Sequence, residues 1–164
     1  MITAQITYCE TPIGIAKIIG DNNGIQTVSI IDDDIISSDK LHMGAPKCLQ
    51  ECVSQLKEYF EGKRASFNLI VNPKGTSFQV KVWKELLKIP YGKTTSYLEQ
   101  SKALGDVKAL RAVASANGKN PLWIIIPCHR VIGSDGSLTG YAGGIWRKKW
   151  LLAHENPVKQ QSLF

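Results

Sequence analysis

Apolar and polar residues alternate along the first part of the chain with the two-residue period of β-strands. This alternation predicts strands over residues 2–8, 13–19 and 25–31. Turn-forming residues separate them, with Thr11-Pro12 after the first strand and Asp21-Asn22-Asn23-Gly24 after the second. The chain is therefore predicted to begin with a small antiparallel sheet.

A helical period replaces the alternation further along. It predicts a helix over residues 46–61 that Gly62 ends, and residues 67–71 are again β-like. Thr76-Ser77-Phe78-Gln79 fits a capping box, in which the Thr and Gln side chains satisfy two backbone N–H groups at a helix start. Four apolar residues of that helix are expected to face the core: Phe78, Val82, Trp83 and Leu86.

Two short helices follow, from about Ser96 to Leu104 and from Val107 to about Asn117. Gly105 is a suitable residue for ending the first helix, and Asp106 is a suitable cap for the second. Two short helices joined through a glycine turn are typical of a helix-turn-helix, although ordinary helical hairpins share the pattern. The pattern alone leaves DNA binding open.

The last third of the chain contains an apolar run, a glycine-rich loop and a final helix. Residues 122–126 are apolar and β-branched, which predicts a buried extended segment that leads through Pro127 to Cys128. Glycines between residues 133 and 144 predict a loop, and the last helix is predicted from about Ile145 to Glu155.

Charge separates the two halves of this 164-residue chain. The composition changes at Asn72-Pro73-Lys74-Gly75, so we predict an N-terminal α/β scaffold domain at residues 1–73 and a mostly helical domain at residues 74–164. Residues 1–72 carry six Lys or Arg and nine Asp or Glu, whereas residues 73–164 carry fourteen and five, so their net charges are −3 and +9. The second half is therefore expected to meet an anion, although a solvated basic face would have the same composition.

Other features of composition exclude several classes of protein. No apolar run approaches the roughly 18 residues of a membrane span, and the first residues lack the layout of a secretory signal. We therefore expect a soluble, cytoplasmic protein with free cysteines. Cys48, Cys52 and His42 are the conceivable metal ligands, but their spacing lacks a CxxC pair and a second ligand cluster. Buried apolar cysteine is the better interpretation of Cys52, and no metal site is predicted.

Cys128 differs from the other cysteines in its neighbours. A nucleophilic cysteine needs basic or cationic groups to supply thiolate, and His129 and Arg130 follow it directly. Successive side chains of an extended segment point to opposite faces, so a bridging water is the expected path from the thiol to His129. A histidine base also needs a carboxylate, and Glu155 is one of two acids after Asp106. By itself, a Cys-His pair is more often structural than catalytic.

The wider sequence resolves this ambiguity. Ile126-Pro127-Cys128-His129-Arg130-Val131 resembles the active-site motif of the O6-alkylguanine-DNA alkyltransferases, the single-turnover DNA-repair methyltransferases. Further blocks match the family in order and spacing: Gly75–Gln79, Ile89–Thr94, Asn117–Pro121, Gly140–Gly144 and Trp150–Glu155. Thr11-Pro12-Ile13-Gly14 resembles a turn of the family's N-terminal domain. The resemblance implies an α/β (α+β) fold, with a small ribonuclease-H-like N-terminal domain and a mostly helical C-terminal domain that contains a helix-turn-helix.

The resemblance also implies roles for the residues around the cysteine. Cys128 would accept the alkyl group from guanine O6 in a direct displacement, and His129 would take the thiol proton through water. Glu155 would hold the imidazole, and Asn120 would organise the turn that presents the cysteine. Tyr97 would donate a proton or a hydrogen bond to the departing guanine.

Contacts with DNA and with the flipped base follow from the same resemblance. Arg111 would fill the base stack after the damaged nucleotide leaves it. The other predicted DNA-contacting residues are Ala112, Tyr97 and Arg130. The pocket is predicted to be lined by Val131, Tyr141, Ala142, Trp123 and Lys148, with Trp123 narrowing it against bulky alkyl groups. The implied partner is double-stranded DNA with alkylated guanine, O4-methylthymine being a second candidate lesion, and no cofactor is implied because the substrate carries its own alkyl group.

Alternatives remain for the function and for the tail. Gln160-Gln161-Ser162-Leu163-Phe164 resembles the peptides with which bacterial partners dock on the sliding clamp, and a frayed terminus is the other interpretation. A monomer is expected. The alternative functions are a non-catalytic alkyl-lesion sensor, which the presence of Cys128 argues against, and a thiol hydrolase, which would leave Arg111 and the basic half unexplained.

Overall fold

The computed structural model describes residues 3–157, so the Gln160–Phe164 motif lies outside the described residues. The chain divides into two compact units, Met1–Lys74 with Pro121–Ile125, and Gly75–Asn120 with Ile126–Phe164. In this division, the Pro121–Ile125 segment groups with the first unit, although it lies within the domain predicted at residues 74–164. Within residues 3–157, no helix is long and apolar enough to cross a membrane.

An antiparallel sheet in the order β1-β2-β3 forms the centre of the first unit. The strands are β1 (Gln5–Thr11), β2 (Gly14–Asp21) and β3 (Gly24–Ile31), so the three predicted strands are confirmed with shifted ends. Two further segments bind the open edge of β3. Val71 forms a parallel bridge with Ile25, and Leu122 forms one with Val28. The predicted β-like run at residues 67–71 thus contributes a single bridge instead of a strand.

Helices cover one face of this sheet. A 3₁₀ turn at Asp33–Ile35 and helix α1 (Ser38–Leu41), neither of which was predicted, precede α2 (Lys47–Phe60). The core of the unit consists of apolar residues from the strands, from the turn between β1 and β2 and from α2, each less than 5% exposed: Ile13, Ile15, Ala16, Ile18, Ile25, Val28, Ile30, Leu49, Cys52, Leu56 and Tyr59. The helix predicted at residues 46–61 is confirmed.

The second unit begins with the predicted capping box. The Thr76 hydroxyl accepts from the Gln79 N–H at 3.1 Å, and the Gln79 side chain accepts from the Thr76 N–H at 2.9 Å, so α3 (Ser77–Leu86) starts where expected. Three of the four predicted core residues are buried: Val82, Trp83 and Leu86. The prediction for Phe78 is wrong, because its side chain is 40% exposed. Side chains lean toward the start of a helix, so a ring in the first turn projects beyond the elements that cover later turns.

The predicted helix-turn-helix is present as α4 (Tyr97–Ala103), a 3₁₀ turn (Val107–Ala109) and α5 (Leu110–Gly118). The Asp106 side chain caps the turn by accepting from the Lys108 N–H at 2.9 Å. Buried polar contacts hold α5 in place. The Trp83 Nε1–H of α3 donates to the Ala116 carbonyl of α5 at 2.9 Å. The side-chain amides of Gln100 in α4 and Asn117 in α5 donate to each other at 2.8 Å. The face of α5 opposite these contacts is exposed.

The remainder of the second unit positions the cysteine motif. Short strands β4 (Thr95–Ser96) and β5 (Val131–Ile132) pair in parallel, and α6 (Ile145–Glu155) ends the described fold. Between Pro127 and β5, the chain forms a 3₁₀ turn at Cys128–Arg130. The expectation of an extended chain through Cys128 and His129 is therefore wrong. The extended segment predicted at residues 122–126 is wrong as well, because a turn at Ile124 and Ile125 interrupts it.

Candidate active site

Cys128 occupies the first position of the 3₁₀ turn and is 9% exposed. Its backbone N–H donates to the Ile126 carbonyl at 2.8 Å, which folds the chain tightly around Pro127. Burial raises the pKa of the Cys128 thiol, while the hydrogen bond from Asn120 and the charge of Lys148 act in the opposite direction. The sulfur is thus a protonated thiol at rest, with two groups beside it that favour the thiolate.

Asn120 follows α5, and its side chain is hydrogen-bonded to the turn that contains Cys128. Its Nδ2 donates to the Ile126 carbonyl at 2.8 Å and to the Cys128 Sγ at 3.3 Å, and its side chain is buried. This geometry agrees with the predicted part of Asn120 in organising the turn. It adds a direct contact with the sulfur, which the sequence did not predict.

His129 and Glu155 form a buried pair. The His129 Nε2 lies 2.7 Å from Glu155 Oε2, and neither side chain is more than 1% exposed. Burial lowers the pKa of His129 more than the neighbouring carboxylate raises it, so the imidazole is neutral. Burial alone would raise the pKa of Glu155, but the hydrogen bonds and charges of His129 and Arg130 outweigh burial and hold that pKa well below its usual range.

The ionised carboxylate determines which ring nitrogen carries the proton. Because an ionised Glu155 can only accept, the neutral imidazole must donate through Nε2–H, which leaves Nδ1 with a lone pair. Within residues 3–157, His129 Nδ1 has no protein hydrogen-bond partner. His129 is therefore a buried, neutral base, and it follows Cys128 within the 3₁₀ turn that replaces the expected extended chain.

Arg130 is directed into the interior of the second unit. It is 6% exposed, and its guanidinium donates to Glu155 Oε1 at 2.8 Å, to Glu155 Oε2 at 3.1 Å and to the Ile89 carbonyl at 2.7 Å. The predicted DNA contact of Arg130 has no support in this geometry, because its hydrogen-bonding nitrogens are directed inward at a carboxylate and a carbonyl.

Tyr97 and Lys148 form a second polar group near the sulfur. The Tyr97 hydroxyl donates to the Thr139 carbonyl at 2.8 Å. The Lys148 Nζ donates to that carbonyl at 3.1 Å, to the Gly140 carbonyl at 3.3 Å and to the Tyr97 hydroxyl at 3.4 Å. Burial lowers the pKa of Lys148 to about 8, against a smaller opposite effect of Cys128. A buried lysine with this pKa can give up its proton near neutral pH.

A cavity of about 560 Å³ opens beside Cys128. One wall comes from the helix-turn-helix and the other from the glycine-rich loop before α6. Its lining residues are Tyr97, Leu110, Arg111, Ala114, Asn117, Gly118, Cys128, Thr139, Gly140, Tyr141 and Ala142. The cavity therefore brings the thiol together with four of the predicted residues, Tyr97, Arg111, Tyr141 and Ala142.

Other predicted residues lie elsewhere. Val131 is fully buried in β5, and Ala112 is on the exposed face of α5. Trp123 belongs to the Pro121–Ile125 segment of the first unit, where its backbone N–H donates to the Val28 carbonyl at 3.0 Å. None of the three lines the cavity, so a narrowing role for Trp123 has no support in its position.

Leu110 lines the cavity but is not among the site residues predicted from the sequence. It is 39% exposed and precedes Arg111 at the start of α5, one turn before Ala114. The sequence signal for Leu110 was a large apolar residue directly before the predicted DNA-contacting Arg111. Residues at i and i+4 of a helix share one face, so Leu110 and Ala114 line the same cavity. Leu110 is thus a better candidate than Trp123 for limiting the size of the alkyl group.

Two cysteines of the first unit, Cys9 and Cys52, are buried in its core, whereas Cys48 is partly exposed. Cys52 is fully buried, and burial raises its pKa to about 12. His42 is exposed, with its Nδ1 2.8 Å from the Ser38 carbonyl. In the part of the chain that the structure describes, no three His, Cys, Asp or Glu side chains gather as a metal-binding group.

Comparison with known proteins identifies both units. Residues 5–73 match the family model described as 6-O-methylguanine DNA methyltransferase, ribonuclease-like domain, and residues 77–157 match the DNA binding domain of the same family. The methylated-DNA--protein-cysteine methyltransferase of Methanosarcina barkeri is 44% identical over 151 residues, which cover 89% of this chain and 93% of the relative. The Mycobacterium tuberculosis protein of that name is 42% identical over 146 residues, covering 89% and 88%.

Solved structures agree with these matches. The crystal structure of Mycobacterium tuberculosis O6-methylguanine methyltransferase has a TM-score of 0.82 and 40% identity, covering 94% of both chains. That of Mycobacterium tuberculosis OGT in complex with DNA has a TM-score of 0.80 and 41% identity, covering 92% of this chain and 93% of the other. The fold and the site define a two-unit protein with a helix-turn-helix and a buried cysteine beside a histidine–glutamate pair, which confirms the predicted fold class. This chain belongs to the 6-O-methylguanine DNA methyltransferase family.

Proposed function

We propose that this chain repairs alkylated guanine in duplex DNA by transferring the alkyl group irreversibly to the Cys128 sulfur. The chain is a transferase of DNA repair by family membership. The observation that carries the residue assignment is the cavity itself, which exposes Cys128 on one side and Arg111 on another. A single cavity thus contains the acceptor and the side chain that would replace the base in the stack.

The damaged base reaches this cavity only after leaving the duplex. Extrusion costs a few kcal/mol, which contacts in the pocket and a side chain filling the stack offset. The exposed face of α5 carries Arg111 and Ala112, and small residues allow the helix to approach the minor groove closely. Minor-groove contacts read little sequence, which suits a search for a lesion in any context.

The transfer is a displacement at the alkyl carbon. A bond forms between the Cys128 sulfur and that carbon, the bond from carbon to guanine O6 breaks, and the bonding electrons return to guanine. The thiol proton passes through a bridging water to His129 Nδ1, the nitrogen left free by the Nε2–H donation to Glu155. Tyr97 gives one proton to guanine, and Lys148 restores it across 3.4 Å.

The product is a thioether at Cys128, which no group in the site can reverse. The experiment incubates wild type and Cys128→Ser with O6-methylguanine duplex and weighs the peptide that contains residue 128. Wild type should gain one methyl group per chain and then stop, and the serine variant should gain none. An unchanged wild-type peptide with tight lesion binding would mean a lesion sensor. Repeated turnover of an acyl substrate would mean a thiol hydrolase.

We also propose that the chain acts as a monomer that docks on a replication clamp through Gln160–Phe164. The support is the match of this sequence with clamp-binding peptides, in which one Gln and two apolar side chains act as anchors. Binding of purified clamp to the full chain and to a chain without residues 160–164 tests the proposal, and equal affinity of the two chains would exclude it. Sedimentation of the full chain should give the mass of one copy.

A further inference from the structure

Arg130 directly follows Cys128 and His129 in the sequence. It does not line the cavity, and its side chain is almost fully buried. Two of its nitrogens donate to the two oxygens of Glu155, at 2.8 and 3.1 Å, and the third donates to the Ile89 carbonyl at 2.7 Å. The Ile89 carbonyl thereby fixes the outer end of the guanidinium. A side chain held in this way at 6% exposure is part of the site's interior framework.

The contacts use the specific geometry of arginine. Its planar fork can serve both oxygens of one carboxylate, and its charge is permanent in proteins. A lysine has one nitrogen at the end of a flexible chain, and it could not reach two carboxylate oxygens and a carbonyl with the same geometry. The arrangement therefore places the Arg130 guanidinium directly on both oxygens of Glu155.

Glu155 needs such a cation because it is buried beside a neutral histidine. Burial favours the protonated carboxyl, and the pKa of His129 is lowered, so the imidazole offers no positive charge at rest. The other titratable groups around this pair are Cys128, Lys148, Tyr91 and Tyr141. The two tyrosines are neutral, and Lys148 hydrogen-bonds to Tyr97 and to the glycine-rich loop, whereas Arg130 is in direct contact with the carboxylate.

The charge of Glu155 decides the tautomer of His129. An ionised Glu155 accepts from Nε2–H and leaves Nδ1 able to take a proton. A protonated Glu155 would donate its O–H to Nε2, so that Nδ1 would carry the hydrogen and could accept none. We infer that Arg130 is a positioning residue that sets the His129 tautomer through Glu155. The inference rests on the proposed function for its effect on rate, but the tautomer itself is measurable without any DNA.

The test compares Arg130→Met, which removes the charge and keeps an unbranched side chain, with Arg130→Lys, which keeps the charge without the fork. Nitrogen chemical shifts of ¹⁵N-histidine report the tautomer, and single-turnover methyl transfer against pH reports the rate. Arg130→Met should move the hydrogen toward Nδ1 and slow transfer by about tenfold or more, because a His129 that carries its hydrogen on Nδ1 cannot act as the general base. In Arg130→Lys, the acid side of the rate profile should move to higher pH, because a weaker partner lets Glu155 take up a proton sooner.

Controls separate this effect from loss of charge and from loss of DNA binding. Lys81→Met removes one positive charge from an exposed position of α3 and should change neither tautomer nor rate. The affinity of Arg130→Met for methylated duplex should stay within about twofold of wild type, since a side chain without phosphate contacts adds little to binding. In a Glu155→Gln background, Arg130→Met should cause no additional loss of rate.

Several results would overturn the inference. One is a wild-type tautomer and rate profile in Arg130→Met, and another is a loss of DNA affinity with unchanged chemistry. Additive losses in the Glu155→Gln background would show that Arg130 acts by another route. If Arg130→Met does not fold, an unchanged acid limb in folded Arg130→Lys refutes the inference. If wild type transfers no methyl group, the proposed function fails, while the tautomer measurement still decides the role of Arg130.

Discussion

Asn120 provides the sharpest test of how the fold controls the reactive sulfur. One amide group donates to the Ile126 carbonyl at 2.8 Å and to the Cys128 Sγ at 3.3 Å, in a site where Asn120 is 3% exposed. Asn120→Leu removes both donations at similar side-chain size. We predict that the substitution raises the pKa of the Cys128 thiol, slows alkyl transfer and destabilises the second unit.

The magnitudes follow from the two contacts. A hydrogen bond to a charged acceptor is worth about 1.5–3 kcal/mol, and sulfur is a weak acceptor, so the lower limit applies to the thiolate. About 1.5 kcal/mol corresponds to roughly a tenfold slower transfer at a fixed pH. The Ile126 carbonyl loses its amide donor at a cost of about 1–3 kcal/mol, which lowers the melting temperature by roughly 2–12 °C in a protein of this size.

Two assays and one control separate chemistry from stability. Single-turnover transfer from methylated duplex gives the rate, and iodoacetamide modification of Cys128 against pH gives the thiol titration without DNA. Gln55→Ala is the matched control, because Gln55 exchanges two hydrogen bonds with the Asn68 backbone, at 2.9 and 3.0 Å, within the first unit. The control should lower the melting temperature and leave both thiol assays unchanged. If Asn120→Leu behaves in the same way as this control, the contact with sulfur has no chemical effect and the reasoning is refuted.

Three further predictions concern the rest of the site. Because the pKa of Glu155 is lower in the folded chain, its ionisation contributes to the free energy of unfolding. This contribution is fully present above the pKa of about 4.3 in the unfolded chain and declines as pH falls below it. Urea unfolding between pH 3 and 7 should show this decline in wild type and much less of it in Glu155→Gln. Lys148→Met should slow transfer more below pH 8 than above it, because the pKa of Lys148 is about 8 and its charge favours the Cys128 thiolate; a rate ratio independent of pH would contradict this. Leu110→Ala should raise the rate with O6-benzylguanine relative to O6-methylguanine, whereas Trp123→Ala should leave that ratio unchanged, and the reverse outcome would restore Trp123 as the size-limiting residue.

Periodicity was sufficient for most of the secondary structure. The strands, α2 and the capping box of α3 depend on contacts between residues close in sequence, and such contacts leave a local pattern. Helix α1 left none, because a four-residue helix is too short for a periodic signal. The same limit applies to the 3₁₀ turn at Cys128–Arg130, whose three residues lie between a β-branched run and a strand and are predicted as extended by continuity alone.

The Pro121–Ile125 segment could not be assigned from sequence for a different reason. Its partner is β3, almost a hundred residues earlier, and only the fold brings Pro121 and Trp123 to the Val28 backbone. Ile124 in this segment has φ 74°, and the Ile125 N–H donates to the Trp123 carbonyl at 2.8 Å across it. A β-branched residue disfavours this conformation, so packing at 1% exposure has overridden local preference.

The basic residues of the second half of the sequence differ in exposure, so its net charge does not describe what each of them binds. The net charge of +9 over residues 73–164 counts Arg130, Arg147 and Lys148 as equals of Arg111. The first three are at most 7% exposed and bind a carboxylate or backbone carbonyls, whereas Arg111 is exposed on α5. Counterion release depends on cations that reach phosphates, so the charge available to DNA is smaller than the sequence total. Arg130 and Lys148 act instead on the protonation of the thiol, the imidazole and the carboxylate, and one basic composition thereby serves two separate purposes.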